Sequence, residues 1–180
     1  MPTNPTQPTL TDPKGVDTVF EDIRPTLEAQ VSWLQTAYGR CLSVEEEGET
    51  YPAVYVGDQD YLKLLPDGHL GSHSFFRVSG RESVKHEGDF KSGAVEVMLV
   101  VWINFEEAFP GDYQTKTIAN AVDDVLDGLK VCRSGANAIT PKAVIYDKQY
   151  QGFTRQMNQD LIRPYGGFAV IIDIKWVQGC

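Results

Sequence analysis

The sequence predicts an α+β domain: a mostly antiparallel β-sheet with two main amphipathic helices packed on one face. Three observations carry this expectation. Residues 94–105 form the longest apolar run, in which Val95, Val97, Leu99, Val101 and Ile103 alternate with Met98, Val100 and Trp102, so both faces of a strand there need cover. Residues 168–177 set Phe168, Val170, Ile172, Ile174 and Trp176 against Asp173 and Lys175, the period of a half-buried strand. Two further stretches, 19–38 and 117–131, repeat apolar side chains every three or four positions, as one stripe of a helix does. Alternating strands and striped helices need one another's apolar sides.

A chain of 180 residues with 42% apolar content can bury one sizeable core rather than two. We therefore read residues 16–180 as a single α+β domain and residues 1–15 as a flexible arm. The arm holds Pro2, Pro5, Pro8 and Pro13 among Thr, Asn and Gln, with too little apolar surface to offset its ordering entropy. It is expected to lack regular structure or to extend along a neighbouring subunit.

The first helix places Phe20, Ile23, Leu27, Val31, Leu34 and Tyr38 on one stripe, with Pro25 as a first-turn residue or a kink and Gly39 as the stop. After the acidic turn Glu45–Gly48, the run Tyr51–Val56 has the β-branched and aromatic residues of a strand, and Pro52 assigns its start to a sheet edge. Pro66–Gly68 signals a turn, and Ser74–Val78 a second strand. Residues 80–93 are polar, bounded by glycines and charged with both signs, which predicts a long exposed loop or hairpin outside the core. On that reading, a short linker could replace residues 82–91 without loss of the fold. Ala94–Phe105 is the expected central strand, Thr117–Val131 the second helix, Ala143–Tyr146 a short strand, Phe153–Ile162 a short helix or irregular segment, and Phe168–Val177 the closing strand.

The formal charge of −9 argues against general nucleic-acid binding, which needs Lys and Arg to displace phosphate counterions. The scattered group Lys142, Lys148 and Arg155 is the longest basic feature. Cys41, Cys132 and Cys180 are distant and odd in number, fitting reduced thiols better than a disulfide framework or a metal knuckle. No signal peptide or membrane-spanning run is legible, so the chain is expected in the cytoplasm of the cell that makes it.

Catalytic signals are sparse. His69 and His73 have the i, i+4 spacing of helical metal ligands, but Pro66, Gly68 and Gly71 argue for two loop histidines. Gly71-Ser72-His73-Ser74 lacks the second glycine of a nucleophile elbow, and no Gly-rich phosphate loop occurs. Adjacent acids at Glu45–Glu47, Glu106-Glu107 and Asp123-Asp124 read as solvated faces. No catalytic, cofactor or metal residue is assigned. Tyr51, Tyr55, Tyr61, Phe75, Phe76, Trp102 and Trp176 give a modest sheet more aromatic area than it needs, some of it available to a partner.

The element order, a leading helix, a strand carrying Pro52-Ala53-Val54, a long apolar strand, a helix and a closing alternating strand, resembles that of the tail terminator, or tail-completion, proteins of long-tailed bacteriophages. The runs Tyr51–Tyr55 and Leu65–Gly71 also look like proteins of phages and prophages of Bacteroidetes. The likeness spans about residues 18–177. Residues 57–93 and the Pro-rich arm are additions to the family pattern. The resemblance implies a non-enzymatic virion protein, typically a hexameric ring, that ends the tail tube and joins it to the neck or connector while DNA passes without specific binding. It further implies that the 80–93 segment reaches an adjacent subunit or the tube, with Phe90 as apolar anchor and Arg81, Lys85, Glu87 and Lys91 fixing register. Two other readings stand beside it: a small protein-binding module of a mobile element, and a metal-free hydrolase with unidentified residues.

Overall fold

The two longest alternating runs of the sequence pair with one another, and the rest of the chain is arranged around that pair. The computed structural model describes residues 4–58, 60–64, 70–78, 80–132, 137–146 and 164–179. In chain order its elements are α1 (Val16–Gln30), β1 (Thr36–Arg40), β2 (Leu42–Glu46), β3 (Glu49–Gly57), β4 (Asp60–Lys63), β5 (His73–Val78), β6 (Ser83–Glu87), β7 (Phe90–Asn104), α2 (Phe105–Ala108), α3 (Ile118–Val131), β8 (Ala138–Ile145) and β9 (Tyr165–Gly179). Strands β7 and β9 run antiparallel without a register break, from Phe90 opposite Gly179 to Asn104 opposite Tyr165.

A six-stranded sheet in the order β1-β5-β7-β9-β8, with β6 also paired to β7, forms the middle layer. Only the β1–β5 pairing is parallel. The odd-numbered residues of β7 and the even-numbered residues of β9 face α1 and α3, and this face holds the larger core, with Phe20, Ile23, Leu27, Val125 and Leu129 against Val97, Leu99, Ile172 and Ile174. The opposite face carries Met98, Val100 and Ala169, covered by Val54 and Leu64 from a separate antiparallel sheet, β2-β3-β4. The domain is thus α+β with both helices on one face of a central β7, and three layers thick.

Helix α1 stops at Gln30, eight residues before the predicted end, where Val31 turns extended and closes the last turn by donating to the Leu27 carbonyl at 2.8 Å. Leu34 and Tyr38 fall in helical phase with Leu27 and Val31 but belong to a turn and to β1. Gly39 is likewise a strand residue rather than a helix stop. Pro25 lies inside α1 on its exposed side, where it withholds an N–H from the helical ladder.

Pro52 is not at an edge, since β3 is the middle strand of its sheet. It is tolerated because its carbonyl and missing N–H point to the β4 side, just past the end of β4, where Leu64 donates to the Pro52 carbonyl at 2.8 Å. The acidic turn is mostly strand β2, turning only at Glu47 (φ 53°) and Gly48 (φ 79°). Helix α3 starts one residue later than predicted, with Thr117 and Asn120 forming a reciprocal cap. Strand β8 is longer than predicted. The Pro66–Gly68 turn and the Phe153–Ile162 segment lie outside the described residues, as do His69, Lys148, Arg155 and Cys180. Among the described residues no helix is long and apolar enough to cross a membrane.

Residues 4–15 have no regular structure, and they dock on this same chain. Asn4 Oδ1 accepts from the Gly71 N–H at 2.8 Å, the Pro5 carbonyl from the Tyr38 hydroxyl at 2.9 Å, and Gln7 Oε1 from the Gly39 N–H at 2.6 Å. The Gln7 carbonyl also accepts from the buried Arg24 guanidinium, whose Nε donates to the Ala37 carbonyl at 2.9 Å, while Glu28 accepts from the Ala37 N–H at 2.7 Å. These side chains close the backbone groups that β1, an edge strand, would otherwise offer to another chain.

Candidate interaction surface

The predicted exposed segment 80–93 takes the second of its two expected forms, a β-hairpin, and lies within the large sheet. Strand β6 pairs with the start of β7, from Ser83 opposite Ala94 to Glu87 opposite Phe90, leaving a two-residue turn of Gly88 and Asp89. Gly88 has φ 60°, the conformation required of the first residue in a type II′ hairpin turn, and a Cβ there meets no neighbour. On its other side the same part of β7 pairs with β9, so the hairpin is backed by a third strand.

Strand alternation divides the predicted contact residues. Lys85, Glu87 and Phe90 share one face with Ser92 and Val177, and Arg81 lines a cleft of about 220 Å³ on that face with Ala94, Glu96, Asp173 and Lys175. Lys91 lies on the opposite face, with Val84 and His86. Phe90 is 58% exposed and Val177 44%, which gives the first face a small apolar centre ringed by charge. Lys142, from β8, reaches Asp173 at 2.7 Å and Glu96 at 3.6 Å. The hydrogen bond to Asp173 raises its ammonium pKa above the usual value.

The base of the hairpin is fastened by residues that sequence reasoning overlooked. Glu82 Oε1 accepts from the indole N–H of Trp176 at 2.7 Å and from the Val16 N–H, at the start of α1, at 3.3 Å. Gln178 Oε1 accepts from the Gly15 N–H at 3.1 Å. Trp176 lies flat over Gly93, where a Cβ would come within 2.5 Å of the ring and 2.7 Å of the Ser83 carbonyl. One legible signal existed: a glycine inside a strand often marks a close approach. Glu82 holds both Trp176 and α1, so replacing residues 82–91 removes these bonds, whereas a replacement that begins beyond Ser83 keeps them.

The remaining candidates resolve into structural roles. His73 is a fully buried strand residue, not a loop histidine, with Nδ1 2.9 Å from the Gly71 carbonyl and its ring beside Trp102 and Tyr38. Ser72 Oγ accepts from the Asn104 N–H at 3.0 Å. Asp124 accepts from the Trp33 indole at 2.8 Å, and Glu107 from Gln35 at 3.2 Å. Burial pushes the Cys41 and Cys132 thiols up to about 11, the reverse of what a nucleophile needs. Among the described residues no group of three or more His, Cys, Asp or Glu could hold a metal ion. Of the aromatic residues, Tyr51, Phe75, Phe76, Trp102 and Trp176 are buried in the chain's own cores, whereas Tyr55 and Tyr61 stand exposed on the outer face of β3 and β4, edge to face at 5.6 Å.

No protein-family model matches the chain, and no curated protein matches it. The fold and surface therefore define its class: a three-layer α+β domain carrying a firmly based, partly apolar hairpin face.

Proposed function

We propose that the chain is a structural subunit of a long-tailed phage virion, forming a ring that ends the tail tube and joins it to the neck or connector. The observation that carries this reading is the hairpin: Phe90 stands 58% exposed on a β-structure anchored to Trp176 and α1, among Arg81, Lys85 and Glu87. A presented apolar anchor with a charged surround is the form of a contact made with another protein. The element order that resembles tail terminators supports the same reading. The formal charge of −9 is compatible with a lumen through which DNA slides. Assembled particles belong in the virion, and free subunits in the host cytoplasm.

Negative-stain microscopy and sedimentation of the purified chain test this. Rings with a central channel, or capping of tail tubes by the chain, are expected. A chain that stays monomeric well above micromolar concentration and ignores tail tubes overturns the reading. The exposed Tyr55–Tyr61 pair favours one second reading, a small non-enzymatic protein-binding module encoded by a phage or mobile element. A stable monomer holding one non-virion partner selects it.

A further inference from the structure

Among the described residues, the face of the large sheet turned away from the helices is only half covered. The β2-β3-β4 sheet lies over the rows of Met98, Val100 and Ala169, and beyond them no other described element covers β7 and β9 on this face as they run to Phe90 and Gly179. The surface therefore has a step one sheet layer high, about 10 Å.

Both levels expose apolar groups. On the upper level, alternation turns Val54 and Leu64 inward and Leu42 and Tyr55 outward, leaving Leu42, Tyr55 and Tyr61 exposed at 44%, 41% and 45%. On the lower level stand Phe90 and Val177. The charges differ between levels. Glu45, Glu46, Glu47, Glu49, Asp58 and Asp60 surround the upper level with Lys63 as its cation, which is paired with Glu46 and lies over the Tyr51 ring. The lower level carries Arg81, Lys85, Lys142 and Lys175 against Glu87, Asp89, Glu96 and Asp173. On a chain with a formal charge of −9, a face whose cations match its carboxylates is set apart from the acidic upper level.

We propose that two copies of this chain pair face to face about a two-fold axis, the acidic tyrosine level of each filling the hairpin level of the other. Because stacked sheets share one direction, the two levels look the same way, and a second copy can bring one onto the other only by turning over. A two-fold rotation then makes both contacts at once, which is the self-complementary arrangement of an isologous dimer. The recess is one sheet layer deep, and the object that enters it is one sheet layer thick. Like-charged chains repel in most orientations, whereas this one sets carboxylates opposite the cation-bearing face. The inference competes with the tail reading for Phe90, since a two-fold contact closes on itself and a ring needs a head-to-tail contact.

Sedimentation velocity of the full chain tests the pairing in dilute buffer and in about 1 M salt, where the screening length falls to about 3 Å. A dimer that weakens about ten-fold or more in high salt is expected. Phe90→Glu and Tyr61→Glu should each yield monomers with unchanged thermal midpoints, because both side chains lie outside the cores. An equimolar mixture of the two variants should recover part of the dimer, since one of its two contacts joins intact levels. A monomeric wild type, a dimer indifferent to both substitutions, or a mixture no more associated than its components overturns the pairing. Growth beyond two copies through these residues also overturns it, but leaves the ring reading standing.

Discussion

Replacing Gly93 with alanine adds one methyl group and tests whether the hairpin is a fixed part of the domain. The new Cβ would sit 2.5 Å from the Trp176 ring and 2.7 Å from the Ser83 carbonyl. Neither can yield easily: Trp176 is buried, and the carbonyl belongs to the backbone of β6. Overpacking of this kind costs about 1–3 kcal/mol. If the indole turns aside, its hydrogen bond to the Glu82 carboxylate is lost as well, a further loss of about 1.5–3 kcal/mol. A total of about 2.5–6 kcal/mol corresponds, for a domain of this size, to a midpoint lowered by about 5–24 °C. Thermal unfolding followed by circular dichroism measures it, and tryptophan fluorescence reports the altered Trp176 environment. Gly80→Ala is the matched control, because a Cβ there meets nothing within 4 Å and its backbone is not left-handed; it should be neutral or stabilise by up to about 1 kcal/mol. A Gly93→Ala protein within about 0.5 kcal/mol of wild type would refute the clamp, because that is the range of an ordinary surface change.

Other outcomes follow from the same contacts. Pro25→Ala should stabilise the chain by about 1–2 kcal/mol in urea unfolding, because the N–H it restores to the exposed side of α1 outweighs the entropy it returns to the unfolded chain. Arg24→Lys keeps the charge but loses the forked donors that hold the Ala37 and Gln7 carbonyls, costing about 1–3 kcal/mol. A nonspecific protease should then cut residues 4–12 sooner than in wild type; equal rates would show that Arg24 does not hold the arm. Burial pushes the Cys41 and Cys132 thiols from 9.0 to about 11, so between these values the unfolded chain releases protons the folded chain retains. Their contribution to stability is complete below about pH 9 and declines towards pH 11. A double Cys→Ala variant should flatten the fall in midpoint over that window, and parallel curves would contradict it. Exchanging residues 84–91 for a short Gly-Ser linker should leave the domain folded while abolishing assembly, whereas extending the exchange to Glu82 should also lower the midpoint.

The long strands and α3 were legible because their periodicity is sustained and matches the apolar side chains they bury. Met98, Val100 and Trp102 required a second covering layer, but that layer was hidden in β2 and β4, which are short and mostly exposed, with carboxylates that read as a turn. The end of α1 was misread because Leu34 and Tyr38 continue its three-and-four spacing by coincidence. Both are buried, one from a turn and one from β1, and spacing does not reveal which backbone delivers a side chain. Pro52 misled for a related reason, since a proline restricts one side of a strand and not the whole strand. In the candidate surface, Phe90 was found through its isolation among charges. Val177 and Glu82 were not, because one belongs to an element 87 positions further along the chain and the other looks like any surface acid. The division of Lys91 from Lys85 and Phe90 depended on β6 being a strand, which so polar a run did not announce.

The closure of α1 by Glu82 and Gln178 joins segments made far apart in time. The first helix emerges early, yet two of its initial N–H groups, on Gly15 and Val16, find acceptors only on residues made 163 and 66 positions later. Strand β7 likewise waits for β9, with almost its full length exposed on that side until residues 165–179 have been made. During translation the nascent chain therefore holds a long apolar strand with an open edge, a template for pairing with identical chains nearby on a polysome. Such distant closures make for slow folding. Strand β9 thus acts as the latch of the domain, and truncations within 165–179 should yield insoluble protein rather than a smaller folded one.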